Sequence, residues 1–191
     1  MPTHAKPAPG RLRIIGGSLR GSKLQIPDVP GLRPTPDRVR ETLFNWLMPV
    51  IPSARCLDLF AGTGALGIEA LSRGAACVDF VETDAQLAQL LRENLLRLKQ
   101  DAHVYRDDAE KFLATPGARY DIVFLDPPFA AQLWSPVAQA LLRHERLQPG
   151  AWLYVESPAD APPELPAEFA PHREGRAGAV RYALYRRSAK L

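Results

Sequence analysis

Between Arg55 and Val155 the chain alternates short apolar runs with longer stretches whose apolar residues recur every three or four positions. The runs Cys56–Phe60, Val78–Glu82, Ala102–Tyr105, Tyr120–Leu125 and Trp152–Val155 read as buried strands; the fourth is apolar throughout except for Asp121. Ala65–Arg73 has helical spacing, with Gly74 as its stop. Asp84–Lys99 reads as a helix with Asp84 as N-cap and Leu87, Leu91, Leu95 and Leu98 as its apolar stripe. Asp108–Leu113 and Gln132–His144 complete the helices of this region. Strand and helix in alternation predict an α/β fold, a doubly wound and mostly parallel sheet with helices on both faces. Ligands on such sheets bind beyond the carboxyl ends of the strands.

The two ends depart from this rhythm. Arg11–Gly17 and Arg20–Ile26 predict a β-hairpin around Gly16-Gly17-Ser18. A helix follows, with Thr35 as N-cap, Pro36 in the first helical position and Asp37 complementing the dipole. It should run to about Met48, where Pro49 and Pro52 stop it, burying Val39, Leu43 and Leu47 and leaving Arg38, Glu41 and Asn45 on another face. At the other end, Phe169–Arg173 and Val180–Arg186 predict an antiparallel hairpin that brings the sheet to seven strands. The expected layout is a disordered tail over 1–10, an N-terminal hairpin-and-helix extension over 11–52, and the α/β domain over 53–191.

Composition narrows the class. The chain has 191 residues and is 46% hydrophobic, the size of one globular domain. No apolar run approaches the roughly 20 residues that a membrane span needs. The first ten residues hold three prolines and no apolar core, unlike a secretory signal. Cys56 and Cys77 have neither metal nor redox spacing. A cytosolic protein without a metal is expected. The net charge of +3 conceals an asymmetry: residues 1–55 carry nine Lys/Arg against three Asp/Glu, and the remainder carries 15 against 18. A basic extension on a slightly acidic body suits contact with a polyanion.

The chemistry centres on Asp58-Leu-Phe-Ala-Gly-Thr-Gly-Ala-Leu-Gly67, a strand, glycine turn and helix that spell the dinucleotide fingerprint. The acids around it argue for a different ligand. Asp58 sits inside the first strand just before the glycine turn, Glu82 ends the second, Asp108 follows the third and Asp126 ends the fourth. A pyrophosphate would face carboxylates there, whereas a cation would be attracted. S-adenosylmethionine, with its sulfonium and ammonium, fits: Asp58 for the methionine end, Glu82 for the ribose hydroxyls, Asp108 with the Ala109 backbone for adenine. The candidate site is therefore Asp58, Phe60, Ala61, Gly62, Thr63, Gly64, Glu82, Thr83, Asp108, Ala109 and Asp126.

Asp126-Pro127-Pro128-Phe129 supplies the second half. The prolines fix a stiff turn that projects carbonyls outward, so Asp126 and the Pro127 carbonyl become two acceptors at fixed separation beside the flat face of Phe129. That set grips the two N–H groups of a planar exocyclic amine while the ring stacks on its base. Acceptors on both protons stabilise the positive charge that grows as the nitrogen takes a methyl group.

These two motifs resemble those of class I S-adenosylmethionine-dependent amino-methyltransferases, whose fold is Rossmann-like. The tetrapeptide is shared by enzymes acting on adenine N6, cytosine N4 and guanine N2. Arg13-Ile-Ile-Gly-Gly17 and Arg33-Pro-Thr-Pro-Asp-Arg-Val-Arg-Glu-Thr-Leu-Phe-Asn-Trp-Leu47 resemble the bacterial 16S ribosomal RNA guanine-N2 methyltransferase family, over about Leu12 to Val155. The resemblance implies a guanine in small-subunit RNA as substrate and a cytoplasmic protein, expected to be a monomer. Arg11, Arg13, Arg20, Lys23, Arg33, Thr35, Arg38 and Arg40 are the candidate RNA contacts. Two alternatives stand beside it: a DNA adenine-N6 or cytosine-N4 methyltransferase, and a non-catalytic RNA-binding assembly factor.

Overall fold

In the computed structural model, which describes residues 11–27 and 34–188, the apolar runs become strands and the periodic stretches helices. Their order is β1 (Arg11–Arg13), β2 (Lys23–Gln25), α1 (Asp37–Leu47), β3 (Arg55–Asp58), α2 (Ala65–Ser72), β4 (Cys77–Val81), α3 (Ala85–Arg97), β5 (His103–Tyr105), α4 (Ala109–Ala114), β6 (Tyr120–Leu125), α5 (Trp134–Arg143), β7 (Leu147–Pro158), β8 (Phe169–Ala177) and β9 (Val180–Arg187). The expected tail over 1–10 and the candidate Arg33 lie outside the described residues, as does the side chain of Arg11.

Seven strands form one sheet in the order β5-β4-β3-β6-β7-β9-β8, parallel from β5 to β7, with β9 antiparallel to both β7 and β8. The order reverses between β3 and β6, which makes their carboxyl ends the switch point. Alternate residues feed two apolar layers. Cys56, Ile122, Phe124 and Tyr154 face α1, α2, α3 and the hairpin, whereas Leu57, Val123, Leu125 and Val155 face α4 and α5. Asp58 and Glu156 continue the first of these series, so they share the face covered by α1 and α2. β7 is longer than its apolar core predicted: a register shift separates the Tyr120–Leu147 pairing from Ile122–Trp152 at one end, and pairing with β9 carries it to Pro158 at the other.

The N-terminal extension is not loosely attached. Leu12, Ile14 and Leu24 pack in the same cluster as Leu43, Phe44 and Ile68. One buried carboxylate binds it down. Glu69, on α2 and inaccessible to solvent, accepts at Oε2 from the Ile15 N–H (2.9 Å) and at Oε1 from the Gly16 N–H (2.8 Å) and Arg73 Nε (2.8 Å). Arg40 lies 3.4 Å from Glu69 Oε2 and also donates to Asp37 and to the Arg13 and Thr35 carbonyls.

Two expectations for α1 are corrected here. Arg40 is fully buried in that ion pair, so it is a structural cation and not an RNA contact. Thr35 does not cap the helix, which begins one residue later with Pro36 in the cap position and no side-chain cap bond. Its hydroxyl instead donates to Glu156 Oε1 at 2.6 Å, and with Thr35 buried it cannot form RNA-facing surface.

Removing one member of a buried pair strands the other. Glu69→Ala is therefore expected to lower unfolding free energy by about 3–5 kcal/mol. Denaturant unfolding measures this; a drop below about 1 kcal/mol would show that the ion pair does not hold the extension down.

Candidate active site

The glycine turn folds as it does for local steric reasons. Gly64 has φ +77°, and a Cβ there would lie 2.3 Å from Leu91 Cδ1. Gly67, one helical turn further, could not carry a Cβ either, since it would meet Phe80 Cε1 at 2.2 Å. That absence lets α2 press on β4, and the Gly67 N–H then reaches Asp58 Oδ2 at 3.1 Å. The third glycine thus serves helix–strand packing and orients the first acid.

Asp58 lies near enough to Glu82 and Asp126 for their charges to act on one another. Glu82, just past β4, accepts from the Gly62 N–H at Oε2 (2.7 Å) and from the Asp84 N–H at Oε1 (2.8 Å). Both its oxygens are held in place by backbone while retaining lone pairs for a second donor. Thr83 beside it is exposed. Asp84 caps α3 through Gln86 and Leu87, as expected. Asp108 caps α4 through the Glu110 and Lys111 N–H groups, using Oδ1 for both, and Asp107 accepts from the Asp108 N–H. Asp108 therefore carries a structural duty beside any ligand contact, and Ala109 is buried behind it.

Asp58 and Asp126 differ from these. Asp58 is buried, and burial pushes its carboxyl up to about 7; the Gly67 hydrogen bond offsets part of this, while Glu82 and Glu156 push the same way as burial. Asp126 is raised well above the carboxylate range by burial, then by Glu156 and Asp58. Among the described residues no group donates to the Asp126 carboxylate, and none donates to the Pro127 carbonyl. The Pro128 carbonyl is taken by Ala131 N–H at 2.9 Å, closing a 3-10 turn over Phe129–Ala131. That turn sets the half-buried Phe129 ring 5.8 Å from Trp134, leaving part of it free. Phe60 and Gly62 are likewise half-buried at the turn, with Ala61 and Thr63 buried beneath.

Glu156 is not among the sequence candidates. It sits at the carboxyl-terminal end of β7, 5% exposed, and accepts from Thr35 Oγ1 and, at 2.9 Å, from the Tyr154 hydroxyl. Burial raises its carboxyl, and these two hydrogen bonds lower it in part. The rule that finds the other acids, a carboxylate at a strand end, applies equally to the fifth strand of the sequence reading.

On the extension, Arg13, Arg20, Lys23 and Arg38 are exposed, which leaves them available to a polyanion. Among the described residues no helix is long and apolar enough to cross a membrane, and no cluster of His, Cys, Asp and Glu is arranged to hold a metal ion.

Comparison with known proteins places these features in a family. A family model described as "Conserved hypothetical protein 95" matches residues 12–186. Ribosomal RNA small subunit methyltransferase D of Escherichia coli (strain K12) is 50% identical, over 99% of this chain and 96% of that protein. The protein of the same name from Haemophilus influenzae is 45% identical, over 93% of this chain and 95% of its own length. A solved structure of yhhF, a methyltransferase candidate from Escherichia coli, superposes with a TM-score of 0.88 at 49% identity, covering 95% of this chain and all of that one.

The raised Asp58 carboxyl has a consequence for stability. The folded protein keeps that proton up to about 7, whereas the unfolded chain releases it near 3.8, so the contribution of Asp58 to unfolding free energy falls as pH rises between those values. Asp58→Asn removes this dependence. The difference between wild-type and D58N unfolding free energies should therefore change with pH across that window, and parallel profiles would contradict the assignment.

Proposed function

Because the chain belongs to the family described as Conserved hypothetical protein 95, and its relatives include ribosomal RNA small subunit methyltransferases, we propose that it methylates the exocyclic N2 of a guanine in 16S ribosomal RNA, using S-adenosylmethionine. One observation carries the chemistry: among the described residues the half-buried Asp126 carboxylate has no protein donor, and it lies beside the free Pro127 carbonyl and the Phe129 ring, on the rim that holds Asp58 and Glu82.

The residues fit the methyl donor. Asp58 is a buried carboxyl with no protein cation beside it among the described residues, and a bound ammonium or sulfonium would favour its ionised form, which suits the methionine end. Glu82, with both oxygens oriented by backbone N–H groups, suits two ribose hydroxyls. Asp108 Oδ2, which the cap leaves unused, and the Ala109 N–H suit the adenine edge, and Phe60, Ala61, Gly62, Thr63, Gly64 and Thr83 line the approach. When bound, this cofactor supplies an electrophilic methyl group on a positively charged sulfur.

The protein's contribution is electrostatic and geometric. Asp126 and the Pro127 carbonyl accept the two amine protons, which turns the nitrogen lone pair out of conjugation and stabilises the cation that forms as it attacks. Phe129 stacks on the base and Pro128 stiffens the turn that aligns them. Asp126, whose carboxylate is made more basic by burial and by the neighbouring acids, is the natural recipient of the departing amine proton. The guanine must be unpaired or swung out of its helix. Residues 11–52 supply the RNA-docking surface through Arg13, Arg20, Lys23 and Arg38, with Arg11 and Arg33 added from the sequence, and residues 53–191 supply the methyltransferase domain. We place the protein, as a monomer without a metal, in the cytoplasm with its ribosomal substrate. The methyltransferase D relatives named above favour neither a DNA substrate nor a non-catalytic role.

Small subunits from a strain lacking this gene, incubated with labelled methyl donor, should yield N2-methylguanosine on nucleoside analysis; N6-methyladenosine in its place would overturn the reading. Asp126→Ala should lower kcat by about 10³-fold while leaving methyl-donor affinity nearly unchanged. An equal fall in both would reassign Asp126 to cofactor binding. Alanine at Arg13, Arg20, Lys23 or Arg38 should weaken RNA binding and lower the slope of log K against log salt by about 0.7–0.9 for each phosphate no longer neutralised. An unchanged slope for all four would remove the extension from the RNA interface.

A further inference from the structure

Two acceptors beside an aromatic ring grip any exocyclic amine, so Asp126, the Pro127 carbonyl and Phe129 do not by themselves distinguish guanine N2 from adenine N6 or cytosine N4. The bases differ at the ring nitrogen next to that amine. In guanine it is N1–H, a donor; in adenine N1 and cytosine N3 it is a lone pair. A site that selects guanine needs a third acceptor, held beside Asp126 and open on one side.

Asp126 has one acidic neighbour on each flanking strand. On the β3 side stands Asp58, engaged by the Gly67 N–H and assigned to the methyl donor. On the β7 side stands Glu156. Leu125 and Val155 are register partners, so Asp126 and Glu156 are the next pair along parallel neighbouring strands and project to the same face of the sheet. Glu156 is also the charge that bears most strongly on Asp126.

Its carboxylate is fixed on one side only. Oε1 accepts from both the Thr35 and Tyr154 hydroxyls, and the Glu156 carbonyl accepts from Trp134 Nε1 at 2.7 Å. Among the described residues Oε2 accepts nothing. Trp134 is also the ring against which Phe129 packs, so the base-stacking residue and the Glu156 backbone share one support. A second oxygen that no described protein group occupies, still open beside the amine-gripping acid, is placed to take a donor from the substrate.

We propose that Glu156 selects the base: Oε2 accepts the guanine N1–H while Asp126 and the Pro127 carbonyl hold the N2 amine. Adenine or cytosine in the same pose sets a ring-nitrogen lone pair against a carboxylate, and is rejected. This rests on the guanine-N2 reading above and adds the residue that enforces it.

The test compares target RNA carrying guanine with the same RNA carrying 2-aminopurine at that position. 2-Aminopurine keeps the N2 amine but has a lone pair at N1. Wild-type protein should prefer guanine by about 10³-fold or more in kcat/KM. Glu156→Gln can turn its amide N–H toward a lone pair, so that preference should shrink by at least about 100-fold, with S-adenosylmethionine affinity within a few fold of wild type. Tyr154→Phe removes one hydrogen bond to Oε1 but keeps the carboxylate, and should retain the wild-type preference. A Glu156→Gln protein with the wild-type preference overturns the proposal, as does a wild-type protein that methylates both bases equally, a measurement that needs no variant. Wild-type protein that forms no N2-methylguanosine on the guanine RNA overturns the functional reading itself, which separates the two failures.

Discussion

Like charges held together by strand register are the constraint around which this protein is built. Parallel pairing of β3, β6 and β7 brings Asp58, Asp126 and Glu156 to one face of one rim, where each raises the cost of ionising another. The sheet cannot relieve this by turning side chains away, because the alternate face is filled by the layer under α4 and α5. Stability has to come from the two apolar layers, and the repulsion remains available at the rim. A ligand that brings positive charge or several donors relieves it, so the site's selectivity for such ligands is a property of the sheet as much as of any single residue.

Helix α2 joins that rim to the RNA-facing extension. Its Gly67 N–H orients Asp58, and two residues later Glu69 gathers the backbone of Ile15 and Gly16 together with Arg40. The extension and the cofactor turn are thus referenced to the same rigid element. Thr35 adds a second tie, from the entry of α1 to Glu156. RNA docked on the hairpin is positioned relative to the chemistry by hydrogen bonds through buried groups, not by a flexible linker.

Much of this is legible in the sequence because short apolar runs and strand-end acids are local signals. The strand β6 is where its apolar run places it, and α2 and α3 begin where their glycine and aspartate signals indicate. Interactions made across the fold are less legible. Arg40 reads as an RNA contact beside Arg38, yet it stands three and four residues before Leu43 and Phe44, in register with the buried stripe; helical spacing alone is enough to find it. Thr35 fits N-cap statistics, but a carboxylate 121 residues away offers a better partner. Glu156 follows its apolar run directly, as Asp126 follows its own, so the strand-end rule reaches it; what sequence does not show is its partner Thr35, or that pairing with β9 carries β7 on to Pro158.

That long-range tie bears on the order in which the chain becomes a protein. The hairpin and α1 precede in synthesis the elements that bury them, α2, β6, β7 and β9. Trp46 of α1 stacks on Tyr182, near the very end of the described chain. Until that residue has left the exit tunnel, α1 keeps an aromatic face uncovered and Thr35 lacks its full setting around Glu156. A segment made early is therefore fixed in place late, by contacts from elements that follow it in sequence.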